Sequence, residues 1–183
     1  MIELILGGAR SGKSALAEQR AAESGLAVTC IATAQAGDEE MARRIAQHQS
    51  RRVRHWALVE EPLHLAATLV NHAAADRCLL VDCLTLWLSN LLHAGFAARQ
   101  AEAGEEVNCP LLAFETAALL DCLPQLPGRV ILVSNEVGLG IVPLGAATRL
   151  YVDDAGRLNQ SIARIAQRAT FVAAGLALEL KGG

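Results

Sequence analysis

The sequence predicts an α/β fold in three layers, with helices on both faces of a mostly parallel, doubly wound sheet. Strand-like and helix-like segments alternate along the chain, as they do in successive strand–helix–strand units. Most strand-like segments are continuous apolar runs, such as 79–81 and 130–133, and such runs are typical of strands covered on both faces. Because the 183 residues contain no internal repeat and no linker, we expect one domain, residues 1–183.

Each element is predicted from its own run of residues. Strands are predicted over the apolar runs 2–6, 27–32, 78–82, 129–134 and 170–174, with further candidate strands over 54–59 and 176–180. Helices are predicted over 13–24, 38–50, 62–75, 84–94, 111–123 and 156–168. Asp38 is the expected N-cap of the second helix. The segment 95–110 is rich in Ala, Gly and Glu, so we expect a solvated loop or a helix extension there.

Composition excludes several classes of protein. Hydrophobic residues make up 52% of the chain and charged residues 19%, which is typical of a globular protein with a large core. The net charge of −3, with scattered basic residues, argues against a nucleic-acid partner. No apolar run is long enough to span a membrane, and a strand starting at residue 2 leaves no room for a signal peptide. Five cysteines without a C-x-x-C pair indicate a reducing compartment, so we expect a cytoplasmic protein.

The strongest motif lies directly behind the first predicted strand. Its residues are Gly7, Gly8, Ala9, Arg10, Ser11, Gly12, Lys13 and Ser14. This spacing matches the phosphate-binding loop (P-loop) pattern G-x-x-x-x-G-K-[ST] between a strand and a helix. Gly7 and Gly12 allow backbone N–H groups to point at phosphate oxygens, and the helix adds its positive N-terminal end. Lys13 is expected to bind the β- and γ-phosphates, which predicts a P-loop NTPase.

A candidate metal site combines the P-loop with a later strand end. Asp82 follows the apolar run 79–81, where an unpaired buried carboxylate would be costly. In P-loop enzymes an Asp at this place holds Mg²⁺ directly or through water, and the hydroxyl of the loop's last residue is a second ligand. We therefore predict that Ser14 and Asp82 hold Mg²⁺.

The predicted helix over 38–50 carries a histidine with two interpretations. Met41, Ile45 and His48 share one face of that helix. His48 is either a structural histidine satisfied by a neighbour or a nucleophile toward phosphorus, for which neutral imidazole is competent. The arginines that follow, Arg51 and Arg52 among them, form either a solvated face or a bidentate clamp on polyphosphate.

The segment 135–143 is longer and more apolar than an ordinary turn. It reads Asn-Glu-Val-Gly-Leu-Gly-Ile-Val-Pro and follows the predicted strand over 129–134. Ligands of doubly wound sheets gather at the carboxyl ends of the strands. We therefore expect this segment to contact an apolar partner beside the nucleotide.

The chain resembles, nearly from end to end, the bifunctional adenosylcobinamide kinase/adenosylcobinamide-phosphate guanylyltransferases of cobalamin biosynthesis. The motifs are G-G-A-R-S-G-K-S at 7–14, I-A-T-A-Q at 31–35, D-E-E-M-A-R-R-I-x-x-H at 38–48, D-C-L-T at 82–85, N-E-V-G-L-G-I-V-P at 135–143 and G-R-L-N-Q at 156–160. The combination of R-I-x-x-H with N-E-V-G-x-G-I-V-P is far more specific than the P-loop alone.

The resemblance implies a RecA-like P-loop fold, a homotrimer and two reactions. The hydroxyl of adenosylcobinamide first attacks the γ-phosphate of ATP or GTP, and GTP then donates GMP to the new phosphate through a guanylylated histidine. By position that histidine is His48, which acts with Lys13; some relatives carry two adjacent histidines here, whereas this chain has Gln47. The resemblance implies nucleotide contacts at residues 7–14 and at Ala32, Thr33, Ala34, Gln49, Ser50, Arg51, Arg52, Glu60 and Asp82. It also implies a corrinoid substrate, which we expect to meet the 135–143 segment and parts of 84–110.

Two other functions are compatible with the P-loop. A kinase of another small alcohol, with a structural His48, would transfer only the γ-phosphate and would never carry GMP on the protein. A non-catalytic nucleotide-binding module is disfavoured because the N-K-x-D guanine-reading motif of switch GTPases is missing from the sequence.

Overall fold

The computed structural model describes residues 1–35 and 56–182. Its strands are β1 Ile2–Gly7, β2 Ala27–Ala32, β3 Ala57–Glu60, β4 Arg77–Asp82, β5 Arg129–Asn135, β6 Arg168–Ala173 and β7 Leu176–Lys181. Its helices are α1 Lys13–Glu23, α2 Leu65–His72, α3 Leu84–Ala94, α4 Ala97–Glu102, α5 Pro110–Cys122 and α6 Ala146–Ile165, with a 3₁₀ turn at Leu123–Gln125. No helix in these two ranges is long and apolar enough to cross a membrane.

The described strands form one sheet in the order β3-β2-β4-β5-β1-β6-β7. Pairing is parallel from β3 through β6, and only β7 runs antiparallel to its neighbour β6. β1 and β2 are consecutive in the chain but are separated in the sheet by β5 and β4, and α1 carries the chain between them. The mostly parallel, doubly wound sheet predicted from the sequence is confirmed.

Both faces of the sheet are covered, which explains the continuous apolar runs. Alternate strand residues point to opposite faces. Leu4 of β1 lies in the core on the face of α2, α3, α5 and α6, where it joins Trp87 and Ile162. Its neighbour Ile5 lies in the core on the face of α1, with Ala17. Each central strand therefore carries apolar side chains at consecutive positions rather than only at every second one.

A buried carboxylate anchors α1 to the sheet. Glu3 of β1 is completely buried and forms ion pairs with Arg20 of α1 and Arg129 of β5. Arg20 also donates to the hydroxyl of Thr170 at 2.7 Å and pairs with Glu179 of β7. Two guanidinium groups compensate the buried charge of Glu3, so one cluster links β1, α1, β5, β6 and β7.

The register brings the carboxyl ends of the parallel strands to one edge. Ala32, the last residue of β2, lies beside Glu60 of β3 on one side and Asp82 of β4 on the other. Gly7, the last residue of β1, lies beside Asn135 of β5. The segments that follow these strands therefore open at the same edge, where ligands of such sheets bind.

Several predicted boundaries differ from the structure. The helix predicted over 156–168 begins ten residues earlier, at Ala146, and β6 already begins at Arg168. The segment 95–110 contains a short helix, α4, whose first residue, Ala97, is buried. The predicted helix over 38–50 and the start of the candidate strand over 54–59 lie outside the described residues.

Candidate nucleotide site

The turn between β1 and α1 has the backbone that a phosphate-binding loop requires. A Cβ atom on Gly7 would lie 2.5 Å from both the Ser11 hydroxyl oxygen and the Val172 carbonyl oxygen, so only glycine fits there. Gly12 has a φ of 99°, in the left-handed region that favours glycine, and immediately precedes the first residue of α1. Glycine is thus required at positions 7 and 12 for two different reasons: lack of space at Gly7 and backbone conformation at Gly12.

Hydrogen bonds hold this loop between its neighbours. The Ser11 N–H donates to the Gly8 carbonyl at 3.2 Å, and the Ser11 carbonyl accepts from the Gly175 N–H at 2.8 Å. On the other side, the Glu136 N–H donates to the Gly7 carbonyl at 3.1 Å. The strands beside β1 therefore fix the loop before any ligand binds, which is the preorganisation that an anion site needs.

Lys13, the first residue of α1, extends its side chain back to the loop. Its side-chain nitrogen donates to the Gly8 carbonyl at 3.2 Å, and only 9% of the residue is exposed. Burial lowers the pKa of Lys13, while the charge of Asp82 acts in the opposite direction. The carboxylate of Asp82 at the end of β4 is thus near enough to Lys13 of α1 to counteract part of this lowering of the pKa.

Thr33 joins the end of β2 to the end of β4. Its hydroxyl donates to the Cys83 carbonyl at 2.7 Å and accepts from the Cys83 N–H at 3.0 Å. Its own N–H donates to the Asp82 carbonyl at 3.3 Å. Because Thr33 is completely buried in these contacts, its hydroxyl serves to join the two strand ends.

A polar cluster behind the end of β5 was not predicted. The Asn135 amide donates to the Thr85 hydroxyl at 2.7 Å, and the Tyr151 hydroxyl donates to the Thr85 carbonyl at 3.4 Å. Burial raises the pKa of Tyr151 to about 12, so its hydroxyl stays a donor. These contacts join β5, α3 and α6, which are far apart in sequence. The one local feature of the sequence that could have indicated the cluster is the polar Thr85 at the start of an apolar helix.

The segment after β5 presents an apolar surface to solvent. Its most exposed apolar side chains are Leu139, Ile141, Val142 and Leu144; Ile141 and Leu144 are each 98% exposed. The segment begins beside the P-loop, through the contact of Glu136 with Gly7. The predicted contact with an apolar partner stays a prediction.

The described part of the site contains two oxygen donors of the kind that Mg²⁺ prefers. The Ser14 hydroxyl belongs to the second residue of α1, and Asp82 ends β4 on the same edge. In residues 1–35 and 56–182, no three His, Cys, Asp or Glu side chains cluster to hold a metal by themselves. This donor set fits Mg²⁺ of the P-loop type, which takes few protein ligands and completes its shell with phosphate oxygens and water.

The structure brings together part of the predicted site. Residues Gly7–Ser14, Ala32–Ala34, Glu60 and Asp82 all lie at one edge of the sheet. Five other predicted site residues, His48, Gln49, Ser50, Arg51 and Arg52, lie outside the described residues.

Fold and loop together define the class: this is a P-loop nucleotide-binding protein with a RecA-like sheet. Its fold is similar to that of the type III secretion ATPase EscN of enteropathogenic E. coli, with a TM-score of 0.58 over 94% of this chain and 43% of that chain, at 12% identity. It is also similar to the RadB recombinase, with a TM-score of 0.50 over 93% of this chain and 73% of that chain, at 16% identity. At such identities the likeness concerns the fold alone.

Sequence comparison then identifies the family. Residues 3–180 match the cobinamide kinase / cobinamide phosphate guanyltransferase model, and the chain belongs to this family of transferases. It is 62% identical over 182 residues to the bifunctional adenosylcobalamin biosynthesis protein CobP of Pseudomonas aeruginosa, covering 100% of this chain and 98% of the relative. It is 35% identical over 191 residues to the protein CobU of Salmonella typhimurium, covering 99% and 100%. The family predicted from the motifs is confirmed.

Proposed function

We propose that this chain phosphorylates adenosylcobinamide with ATP or GTP and then transfers GMP from GTP to the product, giving adenosylcobinamide-GDP. The observation that carries the proposal is the buried Lys13 inside a preformed P-loop, on the same sheet edge as Asp82, in a chain of this family. In both reactions the polyphosphate binds this loop, and the two reactions differ in which phosphorus atom is attacked.

In the first reaction the terminal phosphorus is transferred. The N–H groups of Gly7–Ser14 and the Lys13 ammonium neutralise the charge of the β- and γ-phosphates. The substrate hydroxyl oxygen forms a bond to the γ-phosphorus and its proton passes to water. The bond from that phosphorus to the bridging oxygen breaks, and the nucleoside diphosphate leaves. Most of the rate acceleration comes from positioning and charge neutralisation, which a rigid loop supplies.

In the second reaction the α-phosphorus is attacked, with His48 as the nucleophile. The imidazole nitrogen forms a bond to the α-phosphorus. The bond from that phosphorus to the oxygen bridging to the β-phosphate breaks, and pyrophosphate is released from the P-loop. A phosphate oxygen of the first product then attacks the same phosphorus, and the nitrogen–phosphorus bond breaks. A covalent intermediate divides a difficult exchange into two displacements.

The metal ion and the remaining nucleotide contacts complete the proposal. The Ser14 hydroxyl and the Asp82 carboxylate would hold Mg²⁺, which supplies charge neutralisation at the phosphate oxygens. Gln49, Ser50, Arg51 and Arg52 are proposed contacts of GTP, with Ala32–Ala34 and Glu60. The 135–143 segment and parts of 84–110 are proposed to contact the corrinoid. The active species is proposed to be a cytoplasmic homotrimer.

The proposal is tested by mixing the protein with GTP labelled at the α-phosphorus. We expect covalent label on the wild type, no label on His48→Ala, and full label on His93→Ala, a matched control whose imidazole bonds only to the Ser89 carbonyl in the described chain. Adding phosphorylated adenosylcobinamide should then remove the label. Label retained by His48→Ala would remove His48 from the mechanism, and γ-transfer without any protein label would identify a simple kinase.

A further inference from the structure

A single side-chain amide of α3 joins the segments that follow β2 and β3. The amide nitrogen of Asn90 donates to the Thr33 carbonyl at 2.7 Å and to the Pro62 carbonyl at 3.1 Å. Thr33 is the first residue beyond β2, and Pro62 is the second residue beyond β3. Asn90 is therefore the point where these two segments meet a helix.

The chemistry of this junction favours asparagine. Both partners are carbonyl oxygens, so the group between them needs two N–H donors on one atom, and a primary amide provides them. Aspartate has the same shape but would place an acceptor against two acceptors. Serine can satisfy only one of the two carbonyls, and leucine neither.

The two segments are held firmly on their other sides. The Trp87 indole N–H, one turn before Asn90 on α3, donates to the Leu63 carbonyl at 2.7 Å. The Thr33 hydroxyl is bonded to the backbone of Cys83. Asn90 thus bonds to two segments, at Thr33 and Pro62, that other hydrogen bonds also hold. This arrangement is expected of a residue that fixes the position of one segment relative to the other.

The sheet order indicates which part of a nucleotide meets these segments. The P-loop follows β1. Moving across the sheet from β1, the next strands are β5, β4, β2 and β3. With strands about 4.8 Å apart, the end of β2 is about 14 Å from the P-loop and the end of β3 about 19 Å. Phosphates bound on the loop do not extend that far, so only the nucleoside end of a nucleotide on the P-loop could reach these segments.

We propose that Asn90 is a positioning residue that shapes the nucleoside end of the GTP site by joining the backbone around Thr33 to the backbone around Pro62. The inference rests on the proposed function and adds to it: the amide touches neither phosphate nor the reacting atoms. Its loss loosens the segments that hold guanosine, while the P-loop stays intact.

The test compares two ligands by calorimetry in the presence of Mg²⁺: the α,β-methylene analogue of GTP, which cannot transfer GMP, and inorganic tripolyphosphate. For Asn90→Asp we expect binding of the GTP analogue to weaken about tenfold or more, since two partly buried hydrogen bonds are lost. Binding of tripolyphosphate should change less than about twofold. Ser89→Ala, the matched control on the same helix, should leave both affinities unchanged. A merely structural loss of folded protein would reduce both affinities together.

The outcomes separate this inference from the proposed function. Equal effects of Asn90→Asp on both ligands, or no effect on either, would overturn the role of Asn90. A wild type that binds neither ligand would overturn the proposed function and this inference with it. If Asn90→Asp does not fold, Asn90→Ser keeps the test available: it retains one donor, and we expect a selective loss for the GTP analogue of about threefold or more.

Discussion

The side-chain nitrogen of Lys13 lies 3.2 Å from the carbonyl oxygen of Gly8. The lysine side chain thus bridges the P-loop from its last residues to its first. The loop's own backbone holds the cation in place, so little side-chain freedom remains to be lost when a phosphate binds. Burial lowers the pKa of this ammonium group, while the charge of Asp82 acts against the shift. Replacing this lysine should therefore affect ligand binding far more than folding.

We expect Lys13→Met to weaken Mg²⁺-dependent binding of tripolyphosphate by about tenfold to a hundredfold, the loss expected for a hydrogen bond to a charged group. Lys181→Met changes the other lysine of the sequence, which donates to carbonyls at the end of α6. The affinity of Lys181→Met for tripolyphosphate should equal that of the wild type. Calorimetric titration measures both, and an unchanged Lys13→Met affinity would show that the phosphates bind elsewhere.

The buried ion-pair cluster around Glu3 leads to a stability prediction. Glu3→Gln leaves the guanidinium groups of Arg20 and Arg129 without their shared carboxylate, and removing one member of a buried pair costs about 3–5 kcal/mol. Glu23→Gln, on the exposed end of α1, should change the free energy of unfolding by less than about 0.5 kcal/mol. Urea unfolding at neutral pH gives both values, and a loss below about 1 kcal/mol for Glu3→Gln would contradict the account.

His64 introduces a pH dependence of stability. Its Nδ1 lies 2.7 Å from a carboxylate oxygen of the buried Glu115, and this hydrogen bond, with the charges of Glu115 and Glu61, raises the pKa of His64. Because the pKa is higher in the folded state, protonated His64 stabilises the folded protein. This contribution is fully present below the ordinary value of 6.5 and is lost as the pH rises through the folded-state pKa.

We therefore expect His64→Gln to be less stable than the wild type at about pH 6 and equally stable at about pH 9. Since the His64 side chain is 61% exposed, the difference should stay below about 1 kcal/mol. His93→Gln, whose ring bonds a backbone carbonyl, is the control. Unfolding curves at the two pH values measure the change, and a difference that grows toward high pH would contradict the sign.

Gly156 lies inside α6 and has room for a side chain. A Cβ atom there would meet nothing within 4 Å, and the backbone is not in the left-handed region. Gly156→Ala should therefore stabilise the protein by about 0.5–1 kcal/mol. Gly128→Ala is the opposite case, since its Cβ would lie 2.3 Å from the Ala74 carbonyl oxygen at a φ of 76°. Melting temperatures should rise for the first variant and fall for the second, and a fall for both would refute the helix argument.

The same glycine shows where reasoning from sequence failed. The run 156–160 predicts the start of a helix because glycine is uncommon in helix interiors. In the structure α6 continues through it, because Ala155, Leu158, Asn159 and Ile162 are buried. Packing of this long amphipathic face outweighs the local cost of one glycine, and that packing was not visible along the chain.

What the sequence alone determined about this protein is local. The spacing from Gly7 to Ser14 specifies the P-loop because its geometry depends on consecutive residues, and the continuous apolar runs specify central parallel strands because both faces of each strand are covered. Tertiary structure alone decided the strand order, which brings Asp82 toward Lys13, and the contacts of Thr33 and Asn90, whose partners are 28 to 57 positions away. Such contacts leave no pattern in the sequence, since a hydrogen bond between distant segments exists only once the whole sheet has assembled.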